Sequence, residues 1–248
     1  MLARVENQIK LKKIQNELEF SNRSKDKFFS IIAHDLKSTI SAFKNITEVL
    51  SRDFDKFELK DINDFVKELN ESAKDVYKLL EDILEWSKTQ NNKIEFDPTL
   101  ILLGKLVDNI VNLLMNNFKK KDIKVINKIN MDIKVYADLN MINTVLSNLI
   151  SNAAKFTHVG GKVEIGCSNY DEEMYVVWVK DDGVGILTED AEKLFKIGVH
   201  HTTQGTGDEL GSGLGLILCK EFIDKNNGKI WVESEYGKGT TLFFTVPK

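Results

Sequence analysis

The sequence predicts a chain of two parts, a glycine-free helical hairpin followed by an α/β layer domain of about 150 residues. Three observations carry that reading. All 15 glycines lie at or beyond Gly104, so the stretch before the internal Pro98 can run as nearly unbroken helix and the remainder cannot. Before Pro98 the apolar residues recur at every third or fourth position, the period of one helix face. After it, segments of alternating polarity interleave with helical ones.

In the first part Ala33, Leu36, Ile40, Phe43, Thr47, Leu50 and Phe54 form one seam, and Ile62, Val66, Leu69, Ala73, Val76, Leu80 and Ile83 form a second. The link between them, Asp53 to Glu58, is short, which predicts an antiparallel pair. One hairpin buries only a narrow stripe on each helix. A second copy would cover the rest, so the expected assembly is a homodimer built as a four-helix bundle. Upstream, Leu11, Ile14 and Leu18 continue a heptad-like spacing, which predicts a coiled coil entering from the N-terminal side.

Beyond Pro98, Leu103 to Phe118 reads as a helix and Ile123 to Ile129 as a strand. Asp138 is an expected N-cap for a helix running to about Phe156. Strands follow at Val163 to Cys167 and Met174 to Lys180. A helix over Leu214 to Asn226 and two closing strands, Lys229 to Ser234 and Thr240 to Val246, complete the domain.

Composition excludes several classes. With 248 residues, 42% hydrophobic and 29% charged, the chain has material for one large or two ordinary cores. A formal charge of −4 and a pI near 5.7 argue against nucleic acid as a partner. No apolar run reaches the roughly 18 residues that span a bilayer, and the start MLARVENQIKLKK lacks a signal-peptide core, so this segment is expected to be cytoplasmic and to make no membrane contact. The full-length protein can still carry a membrane or cytosolic sensor. Cys167 and Cys219 stand singly without metal spacing, as core thiols in a reducing compartment do.

Four short signals carry chemistry, and each has a plainer reading. In NTVLSNLISNAAKFT, Asn148, Asn152 and Lys155 fall near one helix face. Amide oxygens suit Mg²⁺ and lysine suits phosphate, though a solvated helix face has the same look. DDGVG, Asp181 to Gly185, follows a strand. Its aspartate can accept from the exocyclic amine of a base, and its glycines allow close approach to a ring, or it is only a strand-ending turn. GSGLGLILCKEF places Gly211, Gly213 and Gly215 before a helix whose amide dipoles favour phosphate. GKGTTLFF also reads as a hairpin with Gly237 and Gly239 in its turn.

Taken in order, these boxes resemble the histidine kinases of two-component signalling, from about Asp26 to Val246. The resemblance includes KFFSIIAHDLKSTI as phosphoacceptor box, the asparagine box, DxGxG, Phe195 in LF, GxGLGL from Gly211 to Leu216 and the closing GxGT. It implies a signalling helix at 1–25, a dimerisation and histidine phosphotransfer domain at 26–92 and a catalytic domain of the Bergerat ATP-binding fold at 96–248. The last is an α/β sandwich with a lid at about Lys196 to Ser212, where His200 and His201 are read as lid residues. ATP and Mg²⁺ are the implied cofactors. The nucleotide would be held by Asn148, Asn152, Lys155, Phe156, Asp181, Gly183, Gly185, Gly211, Gly213, Leu214, Gly215 and Thr240, with Asn152 on the metal. The implied partner is a response-regulator receiver domain.

By the same resemblance His34 accepts phosphate. A neutral imidazole, with unperturbed pKa ~6.5, is a competent nucleophile at neutral pH. Asp35 takes the proton from the other ring nitrogen, a contact that needs a particular rotamer because consecutive helix residues do not face one another. Ser38, one turn on, stands where the family has a threonine or asparagine that orients water for dephosphorylating a partner, and Thr39 replaces its usual proline. Two rival readings are separable. ATPases of the gyrase and chaperone type resemble one another in a water-activating glutamate, and Asn148 occupies that position without being a base at pH 7. A degenerate kinase that only dimerises would take no label from ATP.

Overall fold

The structure is a computed structural model. It describes residues 40–90, 96–191, 193–195, 205–206 and 214–248, together with Leu11, Lys12, Gln15, Phe29, Ser30, Ile32, Ala33, Leu36 and Lys37. His34, Asp35, Ser38 and Thr39 of the phosphoacceptor box lie outside the described residues. So do Gly211, Gly213, His200, His201 and most of the expected N-terminal helix and lid.

The chain separates into two compact units, the first comprising Met1–Ile83 with Ile197–His200 and the second the remainder. The first unit is the helical hairpin. Helix α1 covers residues 40–53 and α2 runs Leu59–Gln90, joined through a 3₁₀ turn at Phe54–Lys56. Asp61 starts α2 by accepting from the Glu58 N–H at 3.1 Å, a reach-back cap on the first turn. Phe57 and Phe65 meet edge to face at 5.1 Å where the link joins the helix.

The expected seams divide in this hairpin. Leu50, Ile62, Leu69, Val76 and Ile83 are half-buried. Ile40, Phe43, Val66 and Leu80, from the same seams, are 39 to 53% exposed, whereas Ile46 and Leu79, outside them, are 9% and 4% exposed.

The second unit is a two-layer α/β domain. Its elements are β1 (Pro98–Leu102), α3 (Leu103–Lys120), β2 (Lys124–Asn127), β3 (Lys134–Asp138), α4 (Leu139–Phe156), β4 (Lys162–Asn169), β5 (Met174–Asp181), the short α5 (Thr188–Ala191), α6 (Gly215–Lys225), β6 (Ile230–Glu235) and β7 (Gly239–Pro247). Five strands form a sheet in the order β2-β4-β5-β7-β6, parallel only between β2 and β4. β1 and β3, which sequence patterning did not predict, make a separate antiparallel pair. Pro98 is the first residue of β1, a place where a missing N–H costs no ladder bond.

Alternation sorts the sheet into two faces. Val163, Ile165, Val177, Val179, Leu242, Phe244 and Val246 are buried beneath α3, α4 and α6. On the opposite face Trp178, Phe243 and Trp231 lie side by side in register, Trp231 stacked on Phe243 at 5.2 Å and 6°. Asp181 belongs to the helix-facing set, two residues beyond Val179. A carboxylate is thereby held between sheet and helices at the end of β5.

Asp138 caps α4 as expected. Its Oδ1 accepts from the N–H groups of Asn140 and Met141 at 3.0 and 3.1 Å, and its Oδ2 accepts from Asp97 N–H at 3.1 Å. Buried Asn226, at the end of α6, accepts from the Asp138 N–H at 2.9 Å and donates to Phe222 O. The start of α4 and the end of α6 are locked together, which fixes the helix that bears the asparagine box. The β6–β7 hairpin turns through Gly237 and Gly239, both at positive φ.

Candidate nucleotide site

Asp181 is 6% exposed, and the N–H groups of Gly183 and Thr240 both donate to its Oδ1, at 3.0 and 3.2 Å. Its Oδ2 has no hydrogen bond among the described residues. Burial pushes the carboxyl up to about 6, the two backbone donors oppose that rise, and neighbouring Asp182 adds to it. A buried acceptor with one oxygen pinned and the other unpartnered is a group shaped for an external donor.

The turn after Asp181 is tied from both sides. Val184 N–H donates to Phe156 O at the end of α4, and Val184 O accepts from Gly237 N–H of the β6–β7 turn. Ile186 N–H donates to Ser234 Oγ at 2.8 Å, and that hydroxyl also bonds Gly239 O and Thr240 Oγ1, both at 2.9 Å. Ser234 is a supporting residue that no motif marks, since a serine in a strand has many ordinary roles.

The glycines of DDGVG also allow the loop to approach protein backbone closely. A Cβ at Gly183 would fall 2.1 Å from Phe156 O, and one at Gly185, where φ is +67°, would fall 2.1 Å from Glu235 O. The close approach is to protein backbone, with the loop wedged between α4 and the β6 end. Gly183→Ala should therefore cost about 1–3 kcal/mol of stability and loosen the Asp181 contact. Urea unfolding and MgADP titration of the variant check this. An unchanged midpoint would show that the wedge is slack.

The asparagine box separates by depth. Asn148 is 9% exposed, its Nδ2 donates to Thr144 O at 3.1 Å, and its Oδ1 fills the notch left by Gly215, where a Cβ would lie 2.6 Å away. Asn152, Lys155 and Phe156 are half-buried on the last turns of α4, with Lys155 Nζ 4.8 Å from the centre of the Phe156 ring. Leu214 is 2% exposed, so its side chain belongs to the core beside α6. Thr240 reaches Asp181 through its backbone. The structure therefore gathers Asp181, Gly183 and Thr240 into one bonded group, sets Gly183 on Phe156, and packs Asn148 against Gly215.

Among the described residues no group of three or more histidine, cysteine, aspartate or glutamate side chains is suited to a metal. No helix of the described residues is long and apolar enough to cross a membrane.

Comparison with known proteins agrees with this geometry. Residues 137–248 match the family described as histidine kinase-, DNA gyrase B-, and HSP90-like ATPase. The adaptive-response sensory kinase SasA of Crocosphaera subtropica is 31% identical over 252 residues, covering 99% of this chain and 65% of that kinase. The chain thus spans less than two thirds of the length of the curated relatives it matches. Among solved structures, the catalytic domain of histidine kinase ThkA is 32% identical with a TM-score of 0.54, covering 61% of this chain and 96% of that domain. ThkA in complex with the response regulator protein TrrA is 26% identical with a TM-score of 0.64, over 88% of this chain and 60% of that one. The second unit carries the ATPase-type catalytic domain of the histidine kinases, and over nearly its whole length the chain is similar to sensor kinases.

Proposed function

We propose that this chain is an ATP-dependent protein histidine kinase that phosphorylates His34 and passes the phosphoryl group to an aspartate of a response-regulator receiver domain. The observation that supports it most is the buried Asp181 carboxylate, one oxygen pinned by two backbone donors and the other unpartnered. Such an acceptor suits the exocyclic amine of adenine and opposes the carbonyl oxygen of guanine, so ATP is the substrate rather than GTP. Asn152 would hold Mg²⁺ through its amide oxygen, and Lys155 would sit near phosphate.

In the transfer, a lone pair of the His34 ring attacks the γ-phosphorus. A P–N bond forms, the bond from the γ-phosphorus to the β–γ bridging oxygen breaks, and ADP leaves with that electron pair. Asp35 receives the proton shed by the other ring nitrogen. The family of the second unit and the absence of a base at Asn148 support phosphotransfer over water attack.

The active assembly is a homodimer whose second copy covers Ile40, Phe43, Val66 and Leu80. Its setting is the cytoplasm, where Cys167 and Cys219 remain free thiols. The reading is tested by incubating the chain with γ-labelled ATP and Mg²⁺. Label that is acid-labile and alkali-stable supports it, and absence of label rejects it.

Ser38 is proposed to hold a water in line with the phospho-aspartate of a docked regulator. Lacking the methyl that restricts threonine's χ1, it would place that water loosely and give weak phosphatase activity. Ser38→Ala should abolish the residual dephosphorylation and Ser38→Thr should raise it, with His34 labelling nearly unchanged in both. Loss of phosphate from a phosphorylated regulator measures this, and alanine matching serine would remove Ser38 from the reaction.

A further inference from the structure

The last turn of α4 ends in five consecutive carbonyls, and every one is engaged. Ala153 O accepts from both the N–H and the hydroxyl of Thr157, and Phe156 O accepts from Val184 N–H. The other three are served from far along the chain. Lys121 Nζ, just past α3, donates to Ala154 O at 3.3 Å and to Lys155 O at 2.8 Å. Thr206 N–H donates to Lys155 O at 3.1 Å, and the Thr206 hydroxyl donates to Thr157 O at 2.7 Å.

The valences close. Lys155 O spends its two lone pairs on Lys121 and the Thr206 N–H. The Thr206 hydroxyl lies 3.1 Å from Lys155 O and 2.7 Å from Thr157 O; its single proton belongs to the shorter contact. Its oxygen in turn accepts from Lys121 Nζ at 2.8 Å. An ammonium at a helix C-terminus also opposes the negative end of the dipole. Lys121 additionally accepts from Gly160 N–H through its own carbonyl, so its backbone holds the segment following α4. Gly205 beside this cluster is buried. Three segments, the end of α3, the turn after β5 and the chain before α6, therefore converge on the turn that bears Asn152, Lys155 and Phe156.

We propose that Thr206, with Lys121, is a positioning residue for the nucleotide site: together they hold the carbonyl end of α4, and so the turn that bears Lys155 and Phe156, in place before ATP arrives. The proposal rests on the ATP-binding reading above. The hydroxyl is the critical atom, because it alone joins the ammonium to the Thr157 carbonyl. Where the anchored arrangement is the one that binds, the apparent dissociation constant rises as the anchored fraction falls.

The full chain tests it, with Thr206→Val removing the hydroxyl at constant shape, Thr206→Ser keeping it, and Lys121→Met keeping the stem without the charge. Measurements are the Kd of MgADP by calorimetry, the KM for ATP and kcat of autophosphorylation, and Tm without nucleotide. Thr206→Val should raise Kd and KM roughly tenfold with kcat little changed. Serine should restore both, and Lys121→Met should move them in the same direction as valine. Wild-type affinity in Thr206→Val, or failure of serine to rescue, would overturn the anchor. A lowered Tm with affinity intact would do the same, by assigning the cluster to folding alone. If the unaltered chain binds no MgADP, the ATP reading itself falls, an outcome separate from these.

Discussion

His34→Gln should reduce acid-labile labelling from γ-labelled ATP to background while leaving the MgADP dissociation constant unchanged. Glutamine keeps polarity and helix preference at that position, so the hairpin should persist. What it lacks is a basic nitrogen. The amide nitrogen's lone pair is delocalised into the carbonyl, whereas a neutral imidazole offers an in-plane pair at pH 7. No positioning of ATP compensates for a missing nucleophile. The proposed nucleotide-binding groups around Asp181 belong to the second unit and His34 to the first, so binding and transfer should separate cleanly. The check is labelling followed by split acid and alkali treatment, with calorimetry on the same preparation. Equal labelling of the variant would reject His34 as acceptor. Acid-stable label in the unaltered chain would move the acceptor to a hydroxyl.

The boundaries of α4 are legible because two local signals agree there. Asp138 supplies the cap at one end, and the helical period stops at Phe156. The hairpin strands β6 and β7 are legible for a similar reason, since Gly237 and Gly239 mark their turn. β1 and β3 carry no such punctuation. PTLIL leads directly into α3 and KVYAD directly into α4, and their pairing joins segments separated by a whole helix, which no local pattern encodes. At the site, DDGVG identifies the loop, yet the close approach of its glycines to Phe156 O and Glu235 O is one that only the fold creates. Lys121 and Thr206 leave no trace in sequence. One sits in the run KKKD, which reads as a solvated helix end, and their partners are backbone carbonyls that have no letter in the code. The exposed edge of the hairpin seam shows the converse, a periodic pattern that the described residues bury only in part.

Asp181→Asn should abolish useful nucleotide binding and make the empty protein more stable at neutral pH. On the binding side, Oδ1 must remain an acceptor for Gly183 and Thr240 N–H, so the asparagine amide group replaces Oδ2 and points a donor at adenine's amine. The opposed donors, with loss of a charge-assisted bond, should weaken MgADP on the order of 10²- to 10³-fold. On the stability side, the carboxyl is raised from 3.8 to about 6 chiefly by burial. A raised carboxyl pKa means that folding disfavours the charged form. Its contribution to stability is fully present below 3.8 and is lost as pH rises through about 6. Asparagine does not titrate, so the variant's advantage over the unaltered chain should open across that window and level off above it, at no more than on the order of 3 kcal/mol. Subtracting paired denaturation curves from pH 4 to 8 cancels every other group. The same protonation turns Oδ2 into a donor, so MgADP affinity of the unaltered chain should fall as pH drops through about 6, while the variant's residual affinity stays flat. Tight binding by Asp181→Asn, or a stability difference independent of pH, would show that adenine is held elsewhere or that the carboxylate is solvated.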